Sequence, residues 1–208
     1  MNNFPYYKQT VIGSCGPACL MMLLKHQKPD RKFGKFHEFR AWFDAWLVPF
    51  GMTESYGLAK HALKYGLKPI VIKESQEFSI SLPKSWKLAS LLKPMLSYMK
   101  FTYKRIRKAA LKNGVQEKNS TITLSLIREL IDSNNYPILM VDQSKYAWDE
   151  SFPDGVLHWI VVTSYDSNGF IINDPDIGPD IKITNEELEK AIDLSNFGTD
   201  RRLLILQP

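Results

Sequence analysis

The chain of 208 residues contains two cysteines, Cys15 and Cys19, on adjacent turns of one predicted helix. A thiol becomes a strong nucleophile when it ionises, and the unpaired N–H groups and dipole at a helix N-terminus favour the anion. Residues 15–26 read as that helix, with Ser14 as its N-cap, Pro17 tolerated in its first turn and Pro29 closing the region. Cys15 therefore stands at the helix mouth. The flanking Gly13-Ser14 and Gly16-Pro17 would let the backbone approach a substrate closely. The competing reading is a small core residue, because free cysteines are usually buried and inert. Cys19, beside Leu20, Leu23 and Leu24, reads as core. Adjacent helical turns place the two thiols poorly for a disulfide, and two cysteines are too few for a four-cysteine zinc site.

A nucleophilic cysteine needs an imidazole, and four histidines are present. His26 falls at a helix end, where it would serve as a cap. His37 and His61 lie on amphipathic stretches among charged neighbours and are expected at the solvent. His158 differs, because it opens the apolar strand His158-Trp159-Ile160-Val161-Val162 after a polar loop over 143–155. Strand mouths often carry catalytic residues, although a lone histidine there more often has a structural role.

The second ring nitrogen of such a base needs an orienting partner. Asp166-Ser167-Asn168-Gly169 signals a hairpin whose return strand brings Asn173, Asp174 and Asp176 back towards His158. Arms of about seven residues would make His158 and Asp174 near-opposite. One residue of register slip would bring Asp176 forward instead. Asp174-Pro175-Asp176 is also readable as only a turn.

In combination these residues resemble a known family. Gln9-Thr10-Val11-Ile12-Gly13-Ser14-Cys15-Gly16-Pro17-Ala18-Cys19-Leu20 resembles the active-site segment of cysteine peptidase family 39, the bacteriocin-processing, double-glycine leader peptidases. His158-Trp159-Ile160-Val161-Val162 with Asn173-Asp174-Pro175 resembles that family's histidine strand and Asp-Pro element. The resemblance implies a papain-like fold with Cys15 as nucleophile, His158 as base, Asp174 as its orienter and Gln9 as an oxyanion donor. It implies a peptide or protein substrate, and such chemistry requires no cofactor and no metal. A catalytically degenerate binding module, or an acyl transferase or deamidase using the same residues, is the alternative. The match spans about 6–24 and 138–176. Residues 29–135 carry no motif of the family, and no membrane or ATPase part accompanies the segment.

The elements that must position these residues follow from periodicity. Residues 36–47 have a helical apolar rhythm through Phe36, Phe39, Trp42, Phe43, Trp46 and Leu47. Thr53 caps a further predicted helix to Tyr65, ended by Gly66. Strands are expected over 68–73 and 78–82, and a helix over 123–133. The C-terminal part turns to strands over 137–141, 157–165, 169–173 and 180–184. A short helix opens at Thr184, and a last strand covers 203–206. Helices first and sheet second predicts an α+β domain, with the nucleophile on a buried helix packed on a C-terminal antiparallel sheet.

Composition supports one globular domain over 1–208: 44% of residues are hydrophobic and 12% aromatic, enough to bury a core. No secretory signal or transmembrane run is visible, so the expected compartment is the cytoplasm. Charge is unevenly placed. Ten Lys or Arg residues fall within 83–118 against Glu117 alone, whereas the rest of the chain is net acidic. This segment reads as a basic helical insert in two pieces split near Pro94, stopping at Asn113-Gly114. It suits an acidic partner or an anionic membrane surface. Nucleic acid is not expected, because no interleaved stacking motif accompanies the cations.

Overall fold

The computed structural model describes residues 4–48, 51–74, 93–147 and 155–208. The predicted strand over 78–82 and residues 83–92 of the basic segment lie outside these.

Six helices and nine strands are described: α1 (Cys15–Gln27), α2 (Lys35–Ala45), β1 (Trp46–Leu47), β2 (Met52–Thr53), α3 (Ser55–Leu63), β3 (Lys68–Lys73), α4 (Lys93–Lys112), β4 (Gln116–Asn119), α5 (Leu124–Asp132), β5 (Ile138–Asp142), β6 (Leu157–Tyr165), β7 (Gly169–Asp174), β8 (Gly178–Thr184), α6 (Asn185–Ala191) and β9 (Arg202–Gln207). Seven strands form one sheet in the order β4-β3-β9-β5-β6-β7-β8. All its pairings are antiparallel except β3 with β4, which run parallel on either side of α4. The fold is α+β.

Alternation along the central strands divides the core in two. Ile138 and Met140 of β5 and Trp159 and Val161 of β6 join a cluster with α1, α3 and α4. Leu139, Val141, Ile160 and Val162 point the other way, to Ile127 of α5 and Leu188 and Ala191 of α6. The sheet is thus covered on both faces, which accounts for its near-continuous apolar central strands. From Cys15 to Leu24, α1 is buried on every side, so the chemistry at its N-terminus rests on the most enclosed element of the molecule.

Helix ends differ from their sequence reading in two places. Ser14 does not cap α1; its hydroxyl lies instead 2.6 Å from Glu38 Oε1 and 2.8 Å from the Val11 carbonyl oxygen, either of which can accept its one proton. Glu54, not Thr53, caps α3, accepting from the backbone N–H groups of Tyr56 and Gly57. One oxygen, Oε2, accepts both orphan donors, while Oε1 accepts from the Ser55 hydroxyl. Thr123 and Thr184 cap α5 and α6 as their position suggests, the second in a capping box with Glu187.

The aromatic rhythm of 36–47 also reads differently in three dimensions. The buried stripe of α2 is Glu38, Ala41 and Ala45, whereas Phe36 and Phe43 are 67% and 66% exposed. Small residues face inward because α3 lies very close. A methyl group on Gly57 would stand 2.3 Å from Ala45 Cα.

Pro94 is the second described residue of α4, where a proline is tolerated, and the helical piece expected before it lies outside the described residues. Beyond Gly114 the chain forms β4, so residues 116–118 of the basic segment are strand, not helix. Met99, Tyr103 and Ala110 anchor α4 in the core. Glu117 is held by Arg107 in two hydrogen bonds of 2.7 Å each, by Lys73, and by the Tyr56 hydroxyl. Among the described residues no helix is long and apolar enough to cross a membrane.

Candidate active site

Four elements converge at the N-terminus of α1: the extended segment before it, the first residue of α1 itself, the start of β6 and the end of β7. Cys15 is 8% exposed, so its thiol sits at the floor of a cleft rather than on the surface. The cleft, of about 410 Å³, is lined by Gln9, Ile12, Gly13, Cys15, Gln143, Ser144, Ala147, Val156, Leu157, His158 and Asp176. Gly13 lies in its wall. Gly16 does not: a methyl group there would meet Thr53, Leu58 and Trp159, so this glycine serves the packing of α1 and not access for a substrate.

Cys15 and His158 line the same cleft, and the thiol acts electrostatically on the imidazole. His158 Nε2 lies 2.9 Å from Asp174 Oδ1. Both partners are buried, Asp174 completely. Strand pairing brings them together on a diagonal rather than face to face. The ladder pairs Val161 with Asn173, after a register shift between Val162 and Ser164, and Asp174 follows as the last residue of β7. Of the two aspartates the sequence offered, Asp174 is the one that meets the imidazole.

Asp174 is saturated with donors. Its Oδ1 also accepts from the backbone N–H groups of Asp176 at 2.8 Å and Ile177 at 3.2 Å. Its Oδ2 accepts from the Tyr146 hydroxyl at 2.8 Å and Gln143 Nε2 at 3.3 Å. A buried carboxylate needs such partners to remain ionised. Burial pushes its pKa up, but the His158 contact and these hydrogen bonds outweigh that and hold it below the usual value. The same site acts on His158. Burial opposes the imidazolium, yet the interactions with Cys15 and Asp174 prevail and raise its pKa from the ordinary 6.5 to about 10. Burial and the neighbouring Asp174 carry the Tyr146 phenol well above its normal range, so it is a hydrogen-bond donor only.

Gln9 reaches the cleft from the other side. Its backbone N–H donates to the Pro175 carbonyl at 2.8 Å, and its side-chain Nε2 donates to Asp176 Oδ1 at 2.8 Å. The 174–177 turn therefore touches both the imidazole and the glutamine amide. A further buried carboxylate, Glu38, accepts from Tyr7 Oη at 3.0 Å, Thr10 N at 3.0 Å, Thr10 Oγ1 at 2.8 Å and Ser14 Oγ at 2.6 Å. It thereby ties residues 7–14 to α2 and sets the approach of the chain to Cys15.

The opposite lip is held by Asp142. Its Oδ1 accepts from Ser144 N, Ser144 Oγ and Val156 N, clamping both stems of the segment that carries Gln143 and Tyr146. Gly155 adopts φ +88, and a methyl group there would lie 2.7 Å from Asp142 Oδ1, so the position needs glycine.

Tyr146, Gln143, Glu38 and Asp142 were not singled out from sequence. The first two lie in the polar loop next to a strand end, a place worth searching. Glu38 shares a helical stripe with Ala41 and Ala45, a signal hidden by the larger aromatic residues beside it.

The other histidines and Cys19 lie outside the cleft. His61 is 1% exposed and paired with Asp44 at 2.6 Å, not at the solvent as expected. His37 is half-buried, its Nδ1 accepting from the Gly34 N–H. His26, in the last turn of α1, stacks on Phe4 at 4.7 Å, and burial lowers its pKa. The Cys19 thiol is fully buried and donates to the Trp159 carbonyl; burial, with Cys15 and Asp174 nearby, carries it well above its normal pKa. Both cysteines are free. Among the described residues no group of three or more His, Cys, Asp or Glu could hold a metal ion.

A buried helix packed on a largely antiparallel sheet thus brings Cys15 of the helix and His158 of the sheet to one cleft. A family model described as the Peptidase C39-like family matches residues 4–200, and the chain belongs to that family. No curated protein sequence matches it. Among solved structures, it is similar to a double glycine motif protease from an AMS/PCAT transporter, crystallised in complex with the leader peptide. That match has 19% identity and a TM-score of 0.50, covering 100% of this chain and 93% of the other. It is also similar to a C39-like peptidase from Bacillus anthracis, at 12% identity and TM-score 0.54, covering 100% and 96% of the two chains. At these identities the likeness concerns the fold.

Proposed function

We propose that the protein is a cysteine peptidase acting through Cys15, His158 and Asp174. The observation that carries this reading is that one cleft brings Cys15 at a helix N-terminus together with His158, whose ring is held by Asp174 at 2.9 Å. In the proposed reaction the Cys15 thiolate attacks the peptide carbonyl carbon. The carbonyl electron pair moves to oxygen, and the resulting oxyanion is held by a Gln9 side-chain N–H and the Cys15 backbone N–H. Donors of this kind are worth about 2.7–4 kcal/mol each in acyl transfer. Collapse breaks the C–N bond, and His158 gives its proton to the departing amine. Water, deprotonated by His158, then hydrolyses the thioester and regenerates the thiol. Asp174 keeps the ring oriented throughout.

The substrate class supported by the family and by the leader peptide of the first solved neighbour is a peptide or a protein segment. The outward face of α4 is proposed to contact an anionic partner, either an acidic stretch of substrate or an anionic membrane. Lys100, Lys104, Arg105, Lys108 and Lys112 are exposed along it with no acidic residue among them.

The test is a cysteine-directed probe followed by peptide mass mapping, alongside digestion of a peptide library. Cys15 should label much faster than Cys19, His158→Ala should slow that labelling, and Cys15→Ala should abolish cleavage. Cleavage that persists in Cys15→Ala would end the proposal. Tight peptide binding without turnover would identify a binding module, and products carrying a new amine would identify transfer.

A further inference from the structure

We propose that Asp176 is a positioning residue that sets the orientation of the Gln9 amide, so that the 174–177 turn arranges both halves of the reaction. This rests on the reading of Cys15 as an acyl-transfer nucleophile.

A glutamine amide has a donating end and an accepting end of nearly the same shape, and only the donor can stabilise an oxyanion. Something must decide which end faces the cleft. Gln9 Nε2 donates to Asp176 Oδ1 at 2.8 Å, while Oε1 is turned inward, buried and without a partner among the described residues. A buried acceptor left without a donor is unfavourable. The arrangement is therefore not what Gln9 would choose alone. With the amide reversed, Oε1 would face the Asp176 carboxylate, oxygen against oxygen, and the cleft would present an acceptor that repels negative charge. The bond to Asp176 excludes that state. It uses one N–H of the amide group, and the second remains for an oxyanion. Gln9 and Asp176 line the same cleft as Cys15 and His158.

The backbone keeps the two residues in step. Gln9 N–H is bonded to the Pro175 carbonyl, and Asp176 N–H to Asp174 Oδ1, the oxygen that also meets the imidazole. Asp174 and Asp176 thus have separate tasks, the first on the base and the second on the oxyanion donor.

The test compares two reactions of Cys15 that need no knowledge of the natural substrate. Acylation by p-nitrophenyl acetate passes through a tetrahedral oxyanion and releases p-nitrophenolate. Alkylation by iodoacetamide displaces iodide directly and forms no oxyanion. In Asp176→Ala, acylation should slow about tenfold or more, within the 10²–10³ cost of losing an oxyanion donor outright, while alkylation stays near wild type. Asp176→Asn, whose side-chain oxygen can still accept from Gln9, should recover most of the loss. Gln9→Ala combined with Asp176→Ala should acylate no more slowly than Gln9→Ala alone. Equal loss of both reactions, an additive double variant, or an unchanged ratio in Asp176→Ala would each overturn the role of Asp176. If the wild-type Cys15 is not acylated at all, the peptidase reading itself fails, which is a separate result.

Discussion

His158 holds its proton against burial because two partners act on one ring. The consequence for stability follows from the sign of each shift. A raised imidazole pKa stabilises the fold fully below pH 6.5 and loses that contribution as pH rises toward about 10. A lowered carboxylate pKa on Asp174 contributes above its usual 3.8 and is lost as pH falls through the lower folded value. The pair therefore supports the fold most between about pH 4 and 6.5, with a gradual decline on the alkaline side. NMR of the His158 imidazole should show titration far above 6.5 in the wild type. In Asp174→Asn it should fall towards the ordinary value, and the alkaline loss of urea resistance should shrink with it. An unmoved titration would remove Asp174 from the account of the ring's charge.

Elements set distances that single residues cannot. The helix α1 is placed by burial on all sides, and α2 by its short approach to α3 across Gly57. A methyl group there would meet Ala45 backbone at 2.3 Å, which no rotamer change relieves. Gly57→Ala should therefore destabilise the protein despite the better helix propensity of alanine, by about 1–3 kcal/mol as overpacking generally does. Urea denaturation at constant slope would measure it, and a gain in stability would contradict the described α2–α3 packing. The same closeness explains why α2 turns Phe36 and Phe43 outward. The ridge of large side chains that periodicity reads as a core face cannot fit where Ala41, Ala45 and Gly57 must meet.

Across the whole molecule, charge is segregated on a rigid support. Arg107 and Lys73 are committed to Glu117, and the inner side of α4 is core, so the exposed cations of this helix form an outward stripe. Tyr98 and Phe101, 52% and 54% exposed, lie at one end, with the Arg105 guanidinium over the Phe101 ring at 5.7 Å. Removing the helix would expose the core, so the informative change is charge reversal on the surface. Lys100→Glu with Lys104→Glu and Lys108→Glu should leave the thermal midpoint almost unchanged and weaken binding to phosphatidylserine vesicles or an acidic peptide at low salt. Each surface cation is worth roughly 1 kcal/mol near an anionic membrane. Retained binding to both partners would reject the anionic-contact proposal for this face.

Much of the architecture is legible in the order of the residues. Local signals act over a few residues, so the capped helices α5 and α6, the strand from Leu157 to Tyr165 and the hairpin after it could be placed from neighbouring residues alone. The order of Gln9, Cys15, His158 and the Asp174-Pro175-Asp176 turn was readable in the same way. What linear order could not decide was which long-range partner each polar side chain would meet. Asp174 and Asp176 are two residues apart and chemically identical; only the β6–β7 register sends one to the imidazole and the other to Gln9. Ser14 and Glu54 show the same limit, since a capping side chain can be taken or supplied by whatever a distant helix brings within about 3 Å. Hydrogen bonds are short and directional, and a choice among equal donors belongs to the packed chain rather than to the order of its residues.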